Sequence, residues 1–432
     1  MEVWGSRLEC TGDIISFAGK NGDGGNQLDR AELEKLLDGI ERLECEAQED
    51  GGATAAAGGY LPLRKWLSEA YEAIGEHGIG PERMLLTGSA EEALGLLLRA
   101  VVKLGDAVLV ETPASPEALA LLQERGAVIV PVACDRDGML PDHLREVIRI
   151  AKPALVYVTP QYSNPSGTVW SRMRRLALLD ICDRYGIPIV EDDSAGIVPF
   201  VEPMEPDYPE SSYKTSSLYR LCQEEQLTGA KVIGIASFES TLCPSRPVSW
   251  IISDPLMIME LSIMESQNEK AVLKKQQDQD VKNQHALYAL LTGRVNRDTG
   301  DGEEICSFSW RRFVLSVKAS YMARRTLMLE LLQGSDWEEC DVQHPGGGLY
   351  LWVSLPSGLS SEALKRAAML KGVTFMPGSF CYATSTGIDS FGDEIINESI
   401  RLNYAAQSED RLRRGMTLIG EALSEFTARS GY

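Results

Sequence analysis

Several polar side chains stand where strands of a sheet would end. Asn164, Asp192 and Ser240 each come shortly after a short apolar run. Ligands of open α/β sheets gather at the carboxyl ends of the strands, so these residues are candidates for one binding site. The residue types indicate a site for a small polar molecule.

The segment 84–94 indicates an anion site. Its sequence, Met-Leu-Leu-Thr-Gly-Ser-Ala-Glu-Glu-Ala-Leu, is typical of a strand, a tight turn and the start of a helix. Free backbone N–H groups and the helix dipole at such a turn favour an anion. Glu91 leaves two alternatives open. Pointing inward, its carboxylate would repel a phosphate; pointing to water, it would only support the helix dipole.

Length and periodicity predict the architecture. The chain has 432 residues, of which 44% are hydrophobic, enough for one large core or for one large and one smaller core. Apolar strand-like runs alternate with helical patterns from residue 84 to residue 192, which predicts a doubly wound, mostly parallel α/β sheet. We also expect a helix over 28–43, a surface loop over 201–228 and an acidic loop over 296–304.

Composition excludes several function classes. No apolar run reaches 18 residues, and the first residues lack the features of a signal peptide. Nine scattered Cys without a Cys-x-x-Cys pair indicate reduced thiols and neither a disulfide framework nor a metal site. A net charge of -21 repels nucleic acid and anionic lipid. We therefore expect a cytoplasmic protein that binds no metal, no nucleic acid and no membrane.

Seven segments, in chain order, resemble motifs of the fold-type I, pyridoxal phosphate (PLP)-dependent aminotransferases of class I/II. They are Gly58-Gly-Tyr-Leu-Pro-Leu-Arg64, Gly105-Asp-Ala-Val-Leu-Val-Glu-Thr-Pro-Ala-Ser-Pro116, Ala154-Leu-Val-Tyr-Val-Thr-Pro-Gln-Tyr-Ser-Asn-Pro-Ser-Gly-Thr168, Ile187-Pro-Ile-Val-Glu-Asp-Asp-Ser-Ala-Gly196, Ile235-Ala-Ser-Phe-Glu-Ser-Thr-Leu-Cys-Pro-Ser-Arg-Pro-Val-Ser-Trp250, His344-Pro-Gly-Gly-Gly-Leu-Tyr-Leu-Trp-Val353 and Glu398-Ser-Ile-Arg-Leu-Asn-Tyr404. The resemblance implies an aspartate aminotransferase-like fold. It divides the chain into an N-terminal segment 1–50 that joins the small domain, a large domain 51–312 and a small α+β domain 313–432.

The same resemblance implies that four cofactor contacts are lost. The family's Schiff-base Lys falls on Ser240, and the phosphate-binding Arg seven residues later falls on Pro247. The Tyr that stacks on the pyridine ring falls on Ser115, which removes most of the stacking surface. The Tyr that touches the phenolic oxygen falls on Ala195.

Other positions of the family's cofactor site are retained. Asp192 matches the Asp that pairs with the pyridine nitrogen, Asn164 matches the Asn at the phenolic oxygen, and Arg401 matches the Arg that clamps the substrate carboxylate. Each has a structural alternative, respectively a strand-end cap, a turn former and an ion pair at the domain junction. The remaining residues of this vestigial cofactor site are Ser89, Ala90, Glu91, Ser237 and Arg246.

Three residues are candidates to replace lost groups. Lys20 stands where the family has Gly, and it is either a solvated loop residue or a new cation near the pocket. Lys20 or His344 would then supply a base. Arg246, one residue before Pro247, would contact a phosphate only if the turn were distorted.

The leading hypothesis is a homodimeric aminotransferase-like protein that has lost ordinary PLP transamination, because a serine hydroxyl replaces the amine that this chemistry needs. Its cleft would bind a carboxylate-bearing small molecule, for a non-standard reaction or as a pseudoenzyme, and no cofactor covalently. One alternative is an active enzyme that holds PLP or pyridoxamine phosphate (PMP) non-covalently. Another is a regulatory or structural partner of an active homologue.

Overall fold

The structure is a computed structural model. It describes residues 14–20, 22, 35, 37–39, 58–194, 216–242, 246–267, 271–292, 296–297, 304–305, 308–383 and 398–430. The predicted helix over 28–43 lies mostly outside these residues, and Ala195 lies outside them as well.

The described strands and helices cover most of these ranges. The strands are β1 (Ile15–Ser16), β2 (Met84–Thr87), β3 (Ala107–Thr112), β4 (Val128–Asp135), β5 (Gly138–Met139), β6 (Leu155–Val158), β7 (Ile189–Asp192), β8 (Val232–Ser237), β9 (Ser249–Ile252), β10 (Asn296–Arg297), β11 (Glu304–Ile305), β12 (Asp341–Val342), β13 (Tyr350–Ser354), β14 (Val373–Thr374), β15 (Met376–Pro377) and β16 (Ser399–Asn403). The α-helices are α1 (Leu61–Ala73), α2 (Ala90–Val101), α3 (Pro116–Arg125), α4 (Pro141–Ala151), α5 (Arg172–Tyr185), α6 (Leu218–Glu224), α7 (Pro255–Ser266), α8 (Ala271–Thr292), α9 (Trp310–Leu331), α10 (Ser361–Leu370) and α11 (Glu409–Ser430).

The centre of the fold is an eight-stranded mixed sheet of order β2-β9-β8-β7-β6-β3-β4-β5. Strands β8, β7, β6, β3 and β4 run parallel to one another. Strand β9 is antiparallel to both of its neighbours, and β5 folds back antiparallel to β4. The predicted α/β class with a mostly parallel sheet is confirmed.

Both faces of this sheet are buried. In β3, Val108 and Val110 belong to one hydrophobic cluster, whereas Leu109 between them belongs to another. Successive side chains of a strand point to opposite faces, so two clusters on two faces require strands that are apolar throughout. We call this sheet with α1 to α8 the large unit.

A second, smaller sheet carries the C-terminal third of the chain. It is antiparallel, of order β12-β13-β16-β15, and a hydrophobic cluster of its own packs against α9, α10 and α11. The N-terminal strand β1 joins this part of the molecule, because it pairs with β14 in parallel register. We call this part the small unit. The predicted domain boundaries near residues 50 and 312 stay predictions.

Some local predictions need correction. The surface loop expected over 201–228 contains α6, because Ser217 caps the helix by accepting from the Arg220 N–H and because Leu218 and Leu221 are buried. The acidic loop expected over 296–304 begins and ends in two short strands that pair antiparallel. Among the described helices, none is both long enough and apolar enough to cross a bilayer.

Candidate functional site

A cavity of about 50 Å³ opens at the carboxyl ends of the parallel strands. The large unit lines it with Ser115, Tyr157, Asn164 and Asp192, and Tyr350 of the small unit lies opposite. We call this cavity the cleft. The sequence predicted that Asn164 and Asp192 would meet at this edge, and they do, because each follows a strand of the same sheet.

Asp192 ends β7 and is held by two donors. Its Oδ2 accepts from the Tyr157 hydroxyl at 2.6 Å, and its Oδ1 accepts from the Ser194 N–H at 2.8 Å. Burial raises the pKa of Asp192, and these hydrogen bonds only partly oppose that effect. Burial and the Asp192 carboxylate together raise the pKa of Tyr157 well above its ordinary value. Tyr157 therefore acts as a donor to Asp192.

Ser240, at the predicted Schiff-base position, is buried just beyond the end of β8. Its hydroxyl donates to the Ser194 carbonyl oxygen at 3.2 Å. Its own carbonyl oxygen accepts from the Tyr321 hydroxyl of the small unit at 3.1 Å. Ser240 thus has a structural role between the two units, while Ser194 and not Ser240 lines the cleft.

Arg401 lies on β16 and its side chain is 0% exposed. Its Nη2 lies 3.2 Å from Oε1 of Glu117, and its Nη1 lies 3.4 Å from Oε2 of the same carboxylate. Nη1 also donates to Oδ1 of Asn164 at 2.7 Å, and the guanidinium lies 4.4 Å from the centre of the Tyr350 ring. The position predicted to hold a substrate carboxylate therefore faces a carboxylate of the chain itself. In the structure Arg401 thus forms an ion pair at the junction of the two units, which was the structural alternative for this residue.

Burial and charge act in opposite directions on the Arg401–Glu117 pair. Burial favours the neutral carboxyl, but the Arg401 charge and the hydrogen bonds outweigh it and lower the pKa of Glu117. Burial likewise opposes the charged guanidinium, yet the Glu117 charge raises the pKa of Arg401. Both groups are therefore ionised near neutral pH.

Lys20 lies at the mouth of the cleft in two ion pairs. Its Nζ is 2.7 Å from Oε2 of Glu91 and 3.2 Å from Oε1 of Glu239. Of the two alternatives for Lys20, the structure agrees with the one in which its cation lies near the pocket. Glu91 lines the cleft and pairs there with Lys20, although its side chain is 42% exposed.

The turn that begins α2 is capped by its own side chains. The Ser89 hydroxyl accepts from the Glu92 N–H at 3.1 Å, and the Glu92 carboxylate accepts from the Gly88 N–H at 3.1 Å. These two contacts occupy two of the N–H groups of the turn. Of the residues of this turn, all of which the structure describes, Ala90 and Glu91 line the cleft and Ser89 does not.

Several predicted site residues lie elsewhere. Ser237 is buried between the Ser249 hydroxyl and the Glu239 N–H. Arg246 forms an ion pair with Asp38, beside a separate small cavity. His344 lines a different cavity, of about 610 Å³, at the β4–β5 end of the large sheet. Neither Arg246 nor His344 is among the described residues that line the cleft.

Five polar or aromatic residues that line the cleft were missed by the sequence analysis: Glu117, Tyr157, Ser194, Glu239 and Tyr350. Tyr157 was open to prediction, because it lies on the strand adjacent to that of Asp192. Glu117 gave only a weak signal, an acid in the first turn of a helix, which usually reflects the helix dipole.

The cleft is acidic. The residues that line it include the carboxylates of Glu91, Glu117, Asp192 and Glu239 and one lysine, Lys20. Across the part of the chain that the structure describes, no group of three or more His, Cys, Asp or Glu side chains is arranged to hold a metal ion.

Comparison with known proteins identifies proteins that are similar to this chain. The model of the family "aminotransferase class I and II" matches residues 25–194. A 2-aminoadipate transaminase of Thermus thermophilus is 27% identical over 418 residues, which cover 96% of this chain and 91% of the relative. Over nearly its whole length the chain is similar to class I/II aminotransferases.

Two further comparisons agree with that similarity. Aromatic-amino-acid aminotransferase 1 of Thermococcus litoralis is 24% identical over 432 residues, covering 97% of this chain and 90% of the relative. The crystal structure of the α-aminoadipate aminotransferase LysN from Thermus thermophilus, complexed with N-(5'-phosphopyridoxyl)-L-leucine, superposes with a TM-score of 0.74 at 25% identity. It covers 97% of this chain and 94% of LysN. The aspartate aminotransferase-like fold is therefore confirmed.

The cleft residues do not fit the covalently held PLP that the family resemblance implies. Small-molecule sites typically enclose about 300–1,000 Å³, whereas this cleft encloses about 50 Å³. The carboxylates of Glu91 and Glu239, which flank Lys20 at the mouth of the cleft, would also repel a phosphate at that position.

Proposed function

We propose that this class I/II aminotransferase homologue does not carry out transamination through a Schiff base, and that its cleft binds a small carboxylate-bearing molecule. The observation that carries the proposal is the state of the two candidate groups. Ser240 is bonded to the Ser194 carbonyl, and Lys20, the one lysine among the described residues that line the cleft, is held between two carboxylates.

The chemistry of these groups supports the proposal. Transamination needs an amine that holds the cofactor and then moves a proton at the substrate α-carbon. A serine hydroxyl does neither at neutral pH. Burial lowers the pKa of Lys20, but Glu91 and Glu239 outweigh burial and the pKa is raised overall. The Lys20 amine is therefore protonated and a poor nucleophile.

The proposal is tested by adding PLP to the purified protein, reducing with borohydride and mapping pyridoxyl adducts by mass spectrometry. We expect no stoichiometric adduct on a cleft residue. The matched control is Lys20→Met, which removes the one lysine that lines the cleft among the described residues. A stoichiometric adduct in the wild type that is lost in Lys20→Met would overturn the proposal. Low, scattered labelling that is equal in both proteins is the expected background of surface lysines.

A second candidate function is a PLP- or PMP-dependent aminotransferase that holds its cofactor non-covalently. Two observations favour it. Asp192 and Asn164 stand together in the cleft, where the family resemblance implies cofactor contacts. The relatives are also transaminases by name, and on this ground the comparisons favour the second candidate over the first.

Binding of PMP separates the two candidates. A non-covalent aminotransferase should be stabilised by PMP in thermal unfolding and should exchange its amino group with a keto acid. Asp192→Asn should abolish that stabilisation, because it removes the charge that pairs with a pyridinium. If PMP leaves the melting temperature of the wild type unchanged, the second candidate is lost.

We further propose a homodimer, as the family resemblance implies. An exposed apolar stripe on α7 supports it: Leu256, Met259 and Ile263 are 69%, 54% and 48% exposed. Their spacing places them on one face of the helix. Light scattering after gel filtration tests the proposal, and Met259→Glu should shift the mass towards the monomer. A monomeric wild type would refute it.

A further inference from the structure

We propose that Glu117 is an internal competitor that occupies Arg401 in place of a ligand carboxylate and thereby weakens the binding of small carboxylates in the cleft. This inference rests on the proposed function only in assuming that ligands bind in the cleft. The residues involved come from two elements. Glu117 is in the first turn of α3, and Arg401 is in the middle of β16.

The receptor half of the pair is fixed. The Arg401 guanidinium is held by Asn164 at 2.7 Å, by the Ala18 carbonyl oxygen at 3.3 Å and by the face of the Tyr350 ring. Its Nε is buried without a hydrogen-bond partner among the described residues, so even with Glu117 in place the donors are not all used. Arg401 is thus pre-organised for a carboxylate and has no freedom to turn away from it.

The contacts between Arg401 and the competitor, Glu117, are long for a charged pair. Charge-assisted N–H to carboxylate contacts are usually about 2.7–2.9 Å, whereas the two contacts between Arg401 and Glu117 measure 3.2 and 3.4 Å. The Glu117 side chain is also 24% exposed, compared with 0% for Arg401. Glu117 therefore makes only long contacts with Arg401, and part of its side chain already reaches solvent.

The groups that would receive a ligand carboxylate are already in place. The Ser115 hydroxyl and Nδ2 of Asn164 both donate to Oε2 of Glu117, at 3.0 and 3.3 Å. When Glu117 leaves, these donors and Arg401 become available together. The three groups form a carboxylate site that the chain itself fills.

Competition within one chain has a calculable effect. If the cleft is free for ligand only in the fraction of molecules in which Glu117 has moved away, the apparent dissociation constant rises by the inverse of that fraction. A pair that is closed in about 90–99% of molecules therefore weakens carboxylate binding by about 10- to 100-fold. Removing the Glu117 charge should therefore strengthen carboxylate binding by the same factor.

The experiment measures binding of L-alanine and pyruvate by NMR titration at pH 7.5 without cofactor. The proteins are the wild type, Glu117→Gln and Glu117→Ala. We expect both variants to bind the probes about 10- to 100-fold more tightly than the wild type. Glu117→Gln keeps the shape of the side chain, so it provides a folded variant if Glu117→Ala is destabilised by the unpaired Arg401.

Glu91→Gln is the matched control, because it removes one cleft carboxylate that makes no described contact with Arg401. We expect it to change the probe affinity less than threefold. An equal gain in Glu91→Gln and Glu117→Gln would show a general charge effect and overturn the proposal. Equal affinities in the wild type and both Glu117 variants, or no binding by any of them, would also overturn it. A Schiff base found in the separate PLP test would refute the proposed function. The binding experiment contains no cofactor, so the ratio of wild-type to Glu117-variant affinities would still test the competition between Glu117 and a ligand.

Discussion

The hydroxyl of Tyr157 donates to Oδ2 of Asp192 at 2.6 Å, and the two residues lie on the neighbouring parallel strands β6 and β7. Both side chains line the cleft. The contact holds a carboxyl group whose pKa is raised by burial, at the point where the family resemblance implies a cofactor contact.

Tyr157→Phe should destabilise the protein by about 1–3 kcal/mol, because it leaves a buried acceptor without its donor. The Tyr157 hydrogen bond lowers the pKa of Asp192, so its loss raises that pKa further. The unfolded state is the same in both proteins, so the additional destabilisation should grow as the pH rises through the folded pKa of Asp192, which burial holds above its ordinary value. Urea unfolding at several pH values measures it. Tyr185→Phe, at a residue 44% exposed, is the control; equal effects of the two substitutions would contradict the prediction.

Lys20→Met should destabilise the protein by about 1 kcal/mol, a modest cost because the ion pairs at the cleft mouth are partly exposed to water. Glu239, which is nearly buried, loses its described cation in this variant. Lys20→Arg should keep most of the stability, since a guanidinium reaches both carboxylates. Thermal unfolding compares the three proteins. No difference between Met and Arg at this position would mean that the two ion pairs are without energetic consequence.

Gly138→Ala should destabilise the large unit by about 2–5 kcal/mol, from backbone strain together with overpacking. Gly138 has φ +117°, and a Cβ atom there would lie within 2.3 Å of the Trp170 ring, which is 1% exposed. Gly186→Ala is the matched control, because Gly186 has φ +66° and no atom lies within 4 Å of its Cβ position. The control should lose about 1–2 kcal/mol. Urea midpoints that fall equally in both variants would rule out the clash with Trp170.

Glu111 should make stability depend on pH. It is buried, it accepts from Thr159 and Ser163, and burial raises its pKa to about 7 in spite of these bonds. Between about pH 4.3, where the unfolded Glu titrates, and pH 7 the folded state binds more protons. The contribution of Glu111 to stability is therefore full at low pH and is lost as the pH rises to about 7.

The measurement is the difference in free energy of unfolding between the wild type and Glu111→Gln. Between pH 4.5 and pH 7.5 the wild type should lose about 3 kcal/mol of its free energy of unfolding relative to the variant. Glu191, whose pKa is also raised to about 7, mainly by burial, should leave a similar residual slope in the variant. Glu124→Gln, at an exposed position, should follow the wild type at every pH. A difference that does not vary with pH would refute the assignment.

The fold was predictable because its signals are local. Strand β3 contains a run of apolar residues, Gly105 precedes it and Pro113 follows it, and this pattern marks both its position and its burial on two faces. Asn164 and Asp192 were predicted together for the same reason, since both depend on the ends of parallel strands.

The partner of Arg401 was not predictable in the same way. Glu117 and Arg401 are 284 positions apart in the chain, and their contact depends on how the small sheet docks on the large one. Residues near a strand end also differ in orientation: Ser240 is turned towards Ser194 and Ser237 towards Ser249. The motif gives the position of each residue but not the direction of its side chain.

The contact between Glu117 and Arg401 joins α3 of the large unit to β16 of the small unit. It is therefore also one of the tethers between the two units, beside the hydrogen bond from Tyr321 to Ser240. An anion that displaces Glu117 from Arg401 breaks this contact between the two units at the same time. Binding of an anion at Arg401 is then thermodynamically coupled to the rotation of one unit against the other. A ligand of a few atoms would in this way change the mobility of the two units.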